Sequence, residues 1–421
     1  MATTATTVAE TCAAAKRAAR ILASLPSGVK DAALQAIAAE LIERTPEILD
    51  ANARDLEAGR EAGLTDALMD RLALDERRIA AIASQVRDIV ALPDPVGEVV
   101  EGFRLANGLD VRKVRVPLGV IAVVYEARPN VTIDAAALCL KSGNAVVLRG
   151  SSMAAHSNAV LVAVAIEAGL AAGLPEGAMS LVAGGGHEEL EQLATQTGVV
   201  DLIVPRGGEG LKNALKGVAT VPVLYAASGN CHVYVDETAS LEDALAIVLN
   251  AKTQRPSVCN AAETLLVHEA VAAEFLPTAL GALASAGVEL RVDERAGGCA
   301  GDVAVVPATE EDWETEYHAL TLAVGVVDST EDAIEHVNRY GSGHSEAIVT
   351  RDTESARAFQ LGVDAACVYV NASTRFTDGG EFGMGAEIGN STQKLHARGP
   401  IGVRELCSFK YLIEGSGHVR A

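Results

Sequence analysis

Hydrophobic and polar positions before Pro93 repeat with the period of an amphipathic helix. Leu34, Ile37 and Leu41 lie three and four positions apart, as one buried helix face requires. Asp75 precedes the next such run, where an aspartate is a typical helix N-cap. The pattern therefore predicts a helical N-terminal stretch.

After Pro93 the pattern changes to an alternation of apolar and polar residues in VGEVVEGFRLANGLDVRKVRVPLG. Asn107-Gly108 near its centre is typical of a tight β-hairpin turn. A hairpin with arginines on one face is unusual within a parallel α/β domain. We therefore expect residues 99–117 to pair with another subunit or domain.

From Val116 onward, short apolar runs alternate with helical patterns. GVIAVVY and NAVVLRG are typical of buried strands, and VTIDAAALCLKSG and HSNAVLVAVAIEAGLAAG of helices. The alternation predicts right-handed βαβ crossovers in a doubly wound domain that extends to about Tyr234. A second α/β block begins near Val235, with strands such as ETLLVH, SEAIVT and CVYVN.

Charge and composition exclude several classes of protein. The chain has 421 residues, with 34 Lys+Arg against 56 Asp+Glu and a formal net charge of -22. A field of this sign disfavours nucleic acid and anionic membranes as partners. Hydrophobic residues make up 49% and charged residues 21%, so the chain is not a disordered one. One segment, 388–412, is locally basic and carries Lys394, Arg398, Arg404 and Lys410.

The N-terminus and the cysteines point to the cytoplasm. The first residues show no secretory signal pattern, and we expect no apolar run near the roughly 18 residues of a membrane span. The seven cysteines are scattered without a CxxC pair. This pattern favours reduced thiols over a disulfide framework or a zinc site.

Cys259 is the leading candidate nucleophile. It lies in TQRPSVCNAAETLLVH, in a turn before a buried strand, where turn amides and the cations Lys252 and Arg255 would favour the thiolate. The alternative is a structural thiol, which is the commoner role of a free cysteine. Cys231, next to His232, is a second candidate. Four other cysteines fit structural or surface positions better: Cys139 and Cys367 inside apolar runs, Cys12 on a surface helix and Cys299 in a loop.

Several turns carry polar groups or glycines between a strand and a helix. The glycine-rich turns 184–186 and 206–210 could bring backbone amides to a phosphate, or could be ordinary βα turns, since neither contains GxGxxG. The side chain of Asn130 could donate to an oxyanion or cap the helix after it. His344, Glu346 and Glu316 lie beside strand ends, where catalytic and structural roles are both open.

Together these motifs resemble the aldehyde dehydrogenase superfamily, and within it the γ-glutamyl phosphate reductase (glutamate-5-semialdehyde dehydrogenase) family. The likeness runs through KSGNAVVLRG, DLIVPRGGEGL, SGNCHVYVD, KTQRPSVCNAAETLLVH and STQKLHARGPIGV. The run VVDSTEDAIEHVNRYGSGHSEAIVT is the most specific to that family. The resemblance implies an α/β fold with three parts. These are a Rossmann-like cofactor domain (1–98 and 118–234), a catalytic domain (235–375) and a β-hairpin oligomerisation arm (99–117 and 388–412).

The resemblance also implies roles for single residues. Cys259 is expected to be the nucleophile and Asn130 the oxyanion donor. The cofactor is expected to contact Arg149, Gly207, Gly208 and Glu316. Candidate cations for the substrate are Arg128, Arg255, Arg375, Lys394 and Arg398, with His344 and His396 as further polar candidates. No metal is expected. The general acid is open between His232, His344 and His396.

The activity implied by the resemblance is NADPH-dependent reduction of L-glutamate 5-phosphate to L-glutamate 5-semialdehyde. The reaction would release phosphate through a cysteine thioester, as the second step of proline biosynthesis in a homo-oligomer. Hydrolytic aldehyde dehydrogenases carry a water-activating glutamate where VLYAASGNCH has Ala226. The nearest alternative is a hydrolytic NAD(P)-dependent aldehyde dehydrogenase, and the missing glutamate counts against it. A cysteine acyltransferase without nicotinamide and a non-catalytic scaffold are the others.

Overall fold

The computed structural model describes residues 6–184, 186–225 and 228–420. Gly185 and Ala226, which the sequence analysis names, lie outside the described residues. The chain divides into two units. The first comprises Met1–Tyr225, Met384–Gly389 and Ile401–Ala421, and the second comprises Ala226–Gly383 and Asn390–Pro400.

The first unit begins with the predicted helical stretch. Its helices are α1 (Val8–Leu22), α2 (Ser27–Glu43), α3 (Thr45–Glu61), α4 (Asp66–Leu72) and α5 (Glu76–Ala91). Asp75 caps α5 by accepting a hydrogen bond from the backbone N–H of Arg78 at 2.6 Å, as predicted. Cys12 lies on α1 but is fully buried, so its expected surface position is wrong. The small thiol belongs to the apolar face that α1 packs inward.

A parallel sheet follows the hairpin strands. The strands are β1 (Val99–Arg104), β2 (Asp110–Pro117), β3 (Val120–Tyr125), β4 (Ala145–Arg149), β5 (Met179–Leu181) and β6 (Leu202–Arg206). Helices α6 (Pro129–Lys141), α7 (Ala155–Ala171), α8 (His187–Ala194) and α9 (Glu209–Val218) follow β3, β4, β5 and β6 in turn. The order of the parallel sheet is β5-β4-β3-β6, so the chain reverses direction across the sheet between β3 and β6. In such sheets ligands bind outside the carboxyl ends of the strands at this reversal.

The segment Ser152–Ala171 is long and apolar enough to cross a membrane, contrary to the expectation that no segment is. Half of its most hydrophobic window is buried inside the unit. Its α7 part packs against α2, α3 and α6, as a core helix does.

The second unit is a larger parallel sheet. Its elements are β7 (Cys231–Val235), α10 (Leu241–Thr253), β8 (Ala262–His268), α11 (Glu269–Ser285), β9 (Glu289–Val292), α12 (Glu294–Gly297), β10 (Val306–Pro307), α13 (Glu310–Glu314), β11 (Thr321–Val327), α14 (Thr330–Tyr340), β12 (Ser345–Val349), α15 (Thr353–Gly362) and β13 (Cys367–Val370). The short strands β14 (Asn390–Ser391) and β15 (Gly399–Pro400) pair with each other. The main sheet has the order β10-β9-β11-β8-β7-β12-β13, and every pairing within it is parallel.

Helices cover both faces of this sheet because alternate strand residues point to opposite sides. Val233 and Val235 face α10 and α11, whose side chains include Phe275. Tyr234 faces the other way, against Phe359 of α15, with ring centroids 6.0 Å apart.

Two expected domain limits differ from the structure. The cofactor domain was expected to extend to Tyr234, but β7 pairs with β8 and β12 and so belongs to the second sheet. The arm was expected to contain all of 388–412, but Asn390–Pro400 belongs to the second unit. Lys394 and Arg398 tie that segment to Asp364, which follows α15.

The remaining strand, β16 (Cys407–Glu414), completes an antiparallel sheet in the order β1-β2-β16. We call this sheet the arm. The hairpin predicted around Asn107-Gly108 is confirmed, with Arg104 opposite Asp110. Every residue of β1 is exposed.

Candidate active site

The residues around Cys259 meet at one edge of the second sheet. Gly229, Cys259, Glu316 and His344 each lie a few residues before a strand, namely β7, β8, β11 and β12. Because these strands are parallel, their amino ends lie at the same edge. The order of strands in the sheet, which the sequence does not show, brings the four residues together.

Cys259 lies in the loop between α10 and β8 and is partly exposed. The thiol of Cys231 donates a hydrogen bond to the Cys259 carbonyl oxygen at 3.2 Å. A Cβ atom at Gly229 would lie 1.7 Å from the same oxygen. Only glycine allows the backbone to approach this closely, so Gly229 and Cys231 together fix the carbonyl of the candidate nucleophile.

Glu316 joins the same backbone. Its Oε1 accepts a hydrogen bond from the N–H of Gly229 at 2.6 Å, and its Oε2 lies 3.3 Å from Nε2 of His318. His318 has a φ of 55°, a left-handed conformation that is costly for a residue other than glycine. The loop before β11 thus has an unusual conformation. It places Glu316 against Gly229, two residues before β7 begins.

Lys252 is not available to the Cys259 thiol. Its side chain is fully buried and forms an ion pair with Glu263 of β8, whose side chain is also fully buried. Burial raises the pKa of Glu263 to about 7, although the charge of Lys252 favours the ionised carboxylate. The expected contribution of Lys252 to thiolate formation is therefore not supported, since the ion pair neutralises its charge.

Cys231 is a poor alternative nucleophile. The side chain is fully buried, and burial raises the pKa of its thiol well above the usual value. The neighbouring His232 is also fully buried, with Nδ1 3.0 Å from Oε2 of Glu346. The same carboxylate accepts the backbone N–H of His232 at 2.6 Å, so Glu346 holds the first residues of β7 in place.

His344 was a candidate for substrate binding, and the structure corrects this expectation. Its side chain is fully buried, and Nδ1 lies 2.8 Å from Oγ of Ser345. Burial lowers the pKa of His344 to about 4, so the ring is neutral near pH 7 and presents no charge to an anion. Lys394, another candidate, is exposed and paired with Asp364.

In the first unit, residues predicted to bind substrate or cofactor lie just after the two strands at the chain reversal. Arg128 and Asn130 follow β3, and Gly207 and Gly208 follow β6. The amide Nδ2 of Asn130 donates to Oδ2 of Asp134 at 2.9 Å. Burial raises the pKa of Asp134 to about 6, although the bond from Asn130 lowers it.

The turn after β6 is shaped around a carboxylate. The N–H of Gly208 donates to Oε2 of Glu126 at 3.2 Å, and a Cβ atom at Gly207 would lie 2.7 Å from the carboxyl carbon of Glu126. Gly208 itself has open space where a Cβ would be. On the other side of β3, Nη2 of Arg149 donates to the carbonyl oxygen of Gly186 at 2.7 Å.

Sequence reasoning missed Gly229, Asn260 and Glu263. Gly229 lies in SGNCH, but glycine is required there because the Cys259 loop, which precedes β8, approaches its backbone closely. The sequence does not show that approach. Within the described ranges, no group of three or more His, Cys, Asp or Glu residues could hold a metal ion.

The aldehyde dehydrogenase family model matches residues 1–297 and 303–410. A γ-glutamyl phosphate reductase from Thermobifida fusca is 57% identical over 406 residues, which cover 96% of this chain and 97% of the relative. The chain belongs to the aldehyde dehydrogenase family. A second relative of the same name, from Moorella thermoacetica, is 56% identical over 410 residues, covering 96% of this chain and 97% of its own.

Solved structures of aldehyde dehydrogenase family members agree with this fold. A γ-glutamyl phosphate reductase from Thermotoga maritima matches with a TM-score of 0.96 at 45% identity, covering 98% of this chain and all (100%) of that one. An acetylating aldehyde dehydrogenase from Geobacillus thermoglucosidasius shares the fold, with a TM-score of 0.68 at 19% identity, covering 98% of this chain and 97% of that one.

Members of the aldehyde dehydrogenase family use a nicotinamide cofactor, and the first unit fits a dinucleotide. Its parallel sheet has a chain reversal with a glycine turn at the start of α9, where the surface above Gly208 is open. Backbone amides at such a helix start favour phosphate oxygens. Within this unit, Gly207, Gly208 and Arg149 are the residues expected to hold the cofactor, and the expected contact from Glu316 stays a prediction.

Proposed function

We propose that this protein reduces L-glutamate 5-phosphate to L-glutamate 5-semialdehyde with NADPH, releasing phosphate in the second step of proline biosynthesis. The observation that carries the proposal is the partly exposed Cys259, whose backbone is fixed by Gly229 and Cys231. Relatives 51% to 57% identical over nearly their full length carry the name γ-glutamyl phosphate reductase.

In the proposed reaction, the Cys259 thiolate attacks the acyl carbon of the substrate. The sulfur–carbon bond forms as the carbonyl electrons move to oxygen, and the carbon–oxygen bond to phosphate then breaks to leave a thioester. The backbone N–H of Cys259 is a proposed donor to the oxyanion, and one such donor is worth about 3 kcal/mol. Asn130 lies in the first unit, and its role as a second donor stays a prediction.

The reduced nicotinamide cofactor, when bound, supplies the hydride that reduces the acyl carbon. The protein keeps the acyl group on Cys259 until then and releases the thiolate when the thiohemiacetal collapses. The semialdehyde then cyclises without help to 1-pyrroline-5-carboxylate.

A reductase of this kind must protect its thioester from water, and the carboxylates near Cys259 support that requirement. Glu316 is bonded to Gly229, Glu263 is paired with Lys252, and Glu346 is bonded to His232. Each of these three carboxylates has a structural partner in the second unit. We infer that they hold the loops in place and do not activate water, as the reductase requires.

The preference for NADPH over NADH is part of the proposal. Arg149 at the end of β4 is the candidate partner for a 2′-phosphate, and its guanidinium group is held beside Gly186. Replacing Arg149 with Ala is expected to reduce kcat/KM for NADPH more than for NADH, because only the phosphorylated cofactor loses an ion pair. Equal losses with both cofactors would contradict this role.

We also propose a cytoplasmic homo-oligomer. The cysteines are all free thiols, as the cytoplasm maintains them. The arm carries exposed apolar side chains on β16, among them Phe409, Tyr411 and Ile413. Alternate residues of a strand share a face, so these three form one apolar face that a second copy could cover.

Replacement of Cys259 with Ala tests the catalytic role. The variant should lose turnover while binding of NADPH, followed by quenching of cofactor fluorescence, stays near the wild-type level. Cys299→Ala is the matched control, because this partly exposed cysteine follows α12 and has no role in holding the Cys259 loop, so the variant should keep the activity. Substantial turnover by the Cys259 variant would overturn the proposal.

A further inference from the structure

Two arginines at the Cys259 loop lack an ion-pair partner. Arg255 is exposed in the loop between α10 and β8, and Arg375 is half-buried in the 3₁₀ turn Thr374–Phe376. Within the described ranges, no carboxylate forms a salt bridge with either guanidinium group. The protein carries a net charge of -22, and among the described residues each buried lysine is paired with a carboxylate. Two unpaired cations together indicate a site for an anion.

The side chain of Arg375 is fixed against the start of this loop. Its Nε donates to Oε1 of Gln254 at 2.8 Å, and Gln254 directly precedes Arg255. The two Nη groups have no acceptor among the residues that the structure describes. A guanidinium group with one side anchored and the other open is suited to bidentate binding of an oxyanion.

The backbone of Arg375 is tied to the residue that follows the nucleophile. Nδ2 of Asn260 donates to the carbonyl oxygens of Arg375 at 3.3 Å and of Thr377 at 2.9 Å. In return, Oγ1 of Thr374 donates to the carbonyl oxygen of Asn260 at 2.7 Å. Three hydrogen bonds therefore fix the turn to the Cys259 loop at one end, and Gln254 fixes the side chain at the other.

The charges in this cluster act on one another. Burial lowers the pKa of Arg375, and the like charge of Arg255 lowers it further. The carboxylate of Asp378 and the thiol of Cys259 act in the opposite direction. The hydrogen bonds to Gln254 and Asn260, the neighbours of Arg255 and Cys259 in sequence, place Arg375 at the Cys259 loop, and a bound anion would add to the opposing charge of Asp378.

We propose that Arg375, with Arg255, binds the phosphoryl group of the acyl phosphate substrate. This inference rests on the proposed function. The phosphoryl group is separated from the reacting carbon by a single oxygen, whereas the α-carboxylate lies at the far end of the carbon chain. Cations tied to the nucleophile loop therefore match the phosphoryl group. As the carbon–oxygen bond breaks, the electron pair stays on the phosphate oxygen, and the guanidinium groups stabilise that charge.

Alkylation of Cys259 tests the cationic site without any substrate. Anionic iodoacetate and neutral iodoacetamide react with the same thiolate, so the ratio of their rates reports the local positive charge. Arg375→Gln should lower this ratio at the Cys259 peptide, measured by mass spectrometry, by about three- to tenfold. Arg375→Lys should keep it near the wild-type value. Arg357→Gln, an equal charge change on the surface of α15, is the control and should leave it unchanged.

A second pair of measurements identifies the anion. Inorganic phosphate should slow alkylation of wild-type Cys259 by iodoacetamide and should lose most of this effect with Arg375→Gln. L-Glutamate, which carries the α-carboxylate without a phosphoryl group, should protect less. Protection by L-glutamate but not by phosphate would overturn the phosphoryl assignment. Arg255→Gln, at an exposed position, repeats the test where folding is not at risk.

The outcomes separate this inference from the proposed function. An unchanged alkylation ratio with Arg375→Gln overturns the inference, whatever the enzyme reduces. In the reverse reaction with 1-pyrroline-5-carboxylate, the same variant should raise the KM for phosphate at least about tenfold, with a smaller change in the KM for the organic substrate. If wild-type turnover does not need phosphate but the ratio still falls, the proposed function fails and the anion site stands.

Discussion

The position of the Cys259 loop depends more on tightly packed small residues than on the titratable groups around it. Gly229 is the clearest case, because any side chain there would overlap the carbonyl group of Cys259. The nucleophile therefore depends on a residue that has no chemistry of its own. The sequence identifies Cys259 from its turn and family motif. Gly229 could not be identified from the sequence, because its contact depends on which strands are neighbours.

Replacing Gly229 with Ala should displace the Cys259 loop. The added methyl group must push the carbonyl oxygen away, and a shift of about 1 Å at a nucleophile costs on the order of a hundredfold in rate. We expect kcat to fall by about that factor while binding of NADPH is retained. Gly281→Ala in α11 is the control, since a Cβ there meets nothing and Ala favours a helix. Normal kcat in the Gly229 variant would contradict the proposed packing.

Between elements, buried charges join the helices of the second unit to its sheet. Lys252 at the end of α10 and Glu263 in β8 form a fully buried ion pair. The backbone N–H of His318 also donates to the Glu263 carboxylate, at 3.4 Å. The pair thus connects a helix, a strand and the loop that carries Glu316.

Removing one member of this pair should be strongly destabilising. Glu263→Gln leaves the Lys252 charge buried, which costs about 3 to 5 kcal/mol. The double replacement Lys252→Met with Glu263→Met should recover most of that loss, because no buried charge remains. Urea unfolding followed by fluorescence of Trp313, the single tryptophan of the chain and a residue of the second unit, measures both.

The surface pair of Arg295 and Glu269 provides the comparison. Both side chains are substantially exposed, so Glu269→Gln should leave the urea midpoint almost unchanged. Equal changes in the urea midpoint for Glu263→Gln and Glu269→Gln would contradict a larger contribution of the buried pair to stability.

The buried His344 and the partly buried His336 should make the second unit less stable in acid. Burial lowers the pKa of His336 to about 3, with the charges of His232 and Arg339 acting in the same direction, and burial lowers the pKa of His344 to about 4. Below about pH 6.5 the unfolded chain binds protons at these residues and the folded chain does not. Stability is therefore complete above that pH and is lost as pH falls toward the folded pKa values. Each residue contributes about 1.4 kcal/mol per pH unit.

The urea midpoint by Trp313 fluorescence should accordingly fall between about pH 7 and about pH 5. His336→Asn should reduce the slope of stability against pH by the equivalent of about one bound proton, since asparagine cannot be protonated. His187→Asn, at an exposed position outside the second unit, should not. The same slope in the His336 variant and the wild type would contradict the role of this histidine.

Local sequence patterns predict single helices, strands and turns well, but they do not predict which strands pair with each other. Asp75 was predicted as an N-cap and the Asn107-Gly108 hairpin as a turn, and both are confirmed because each depends on neighbouring residues. The assignment of β7 to the first domain was wrong because CHVYV looks like any buried strand. Its place in the second sheet is fixed by pairing with β8 and β12, which lie far along the chain.

For the whole molecule, the important surface is the apolar face of the arm, which is exposed to solvent in a single chain. Tyr411 is 56% and Ile413 is 60% exposed on β16, an edge strand of the arm. Unpaired strand edges with apolar side chains are sites of strand addition between copies. The arm is thus the surface that should mediate self-association.

Replacing Tyr411 and Ile413 together with Asp should dissociate the oligomer. Light scattering should then give a mass near the 43.4 kDa of one chain, where the proposed oligomer predicts a multiple of it for the wild type. Leu361→Asp is the control, because Leu361 is 76% exposed on α15, outside the arm. A wild-type protein that is already monomeric would contradict the role of the arm.

The central claim is that Cys259 carries an acyl group that phosphate, not water, resolves. Reduction of NADP⁺ by the purified protein with 1-pyrroline-5-carboxylate, measured with and without inorganic phosphate, tests it most directly. The proposed function predicts turnover only when phosphate is present, because the thioester is otherwise trapped on the enzyme. Equal turnover without phosphate would mean that water resolves the thioester, and the protein would be a hydrolytic aldehyde dehydrogenase.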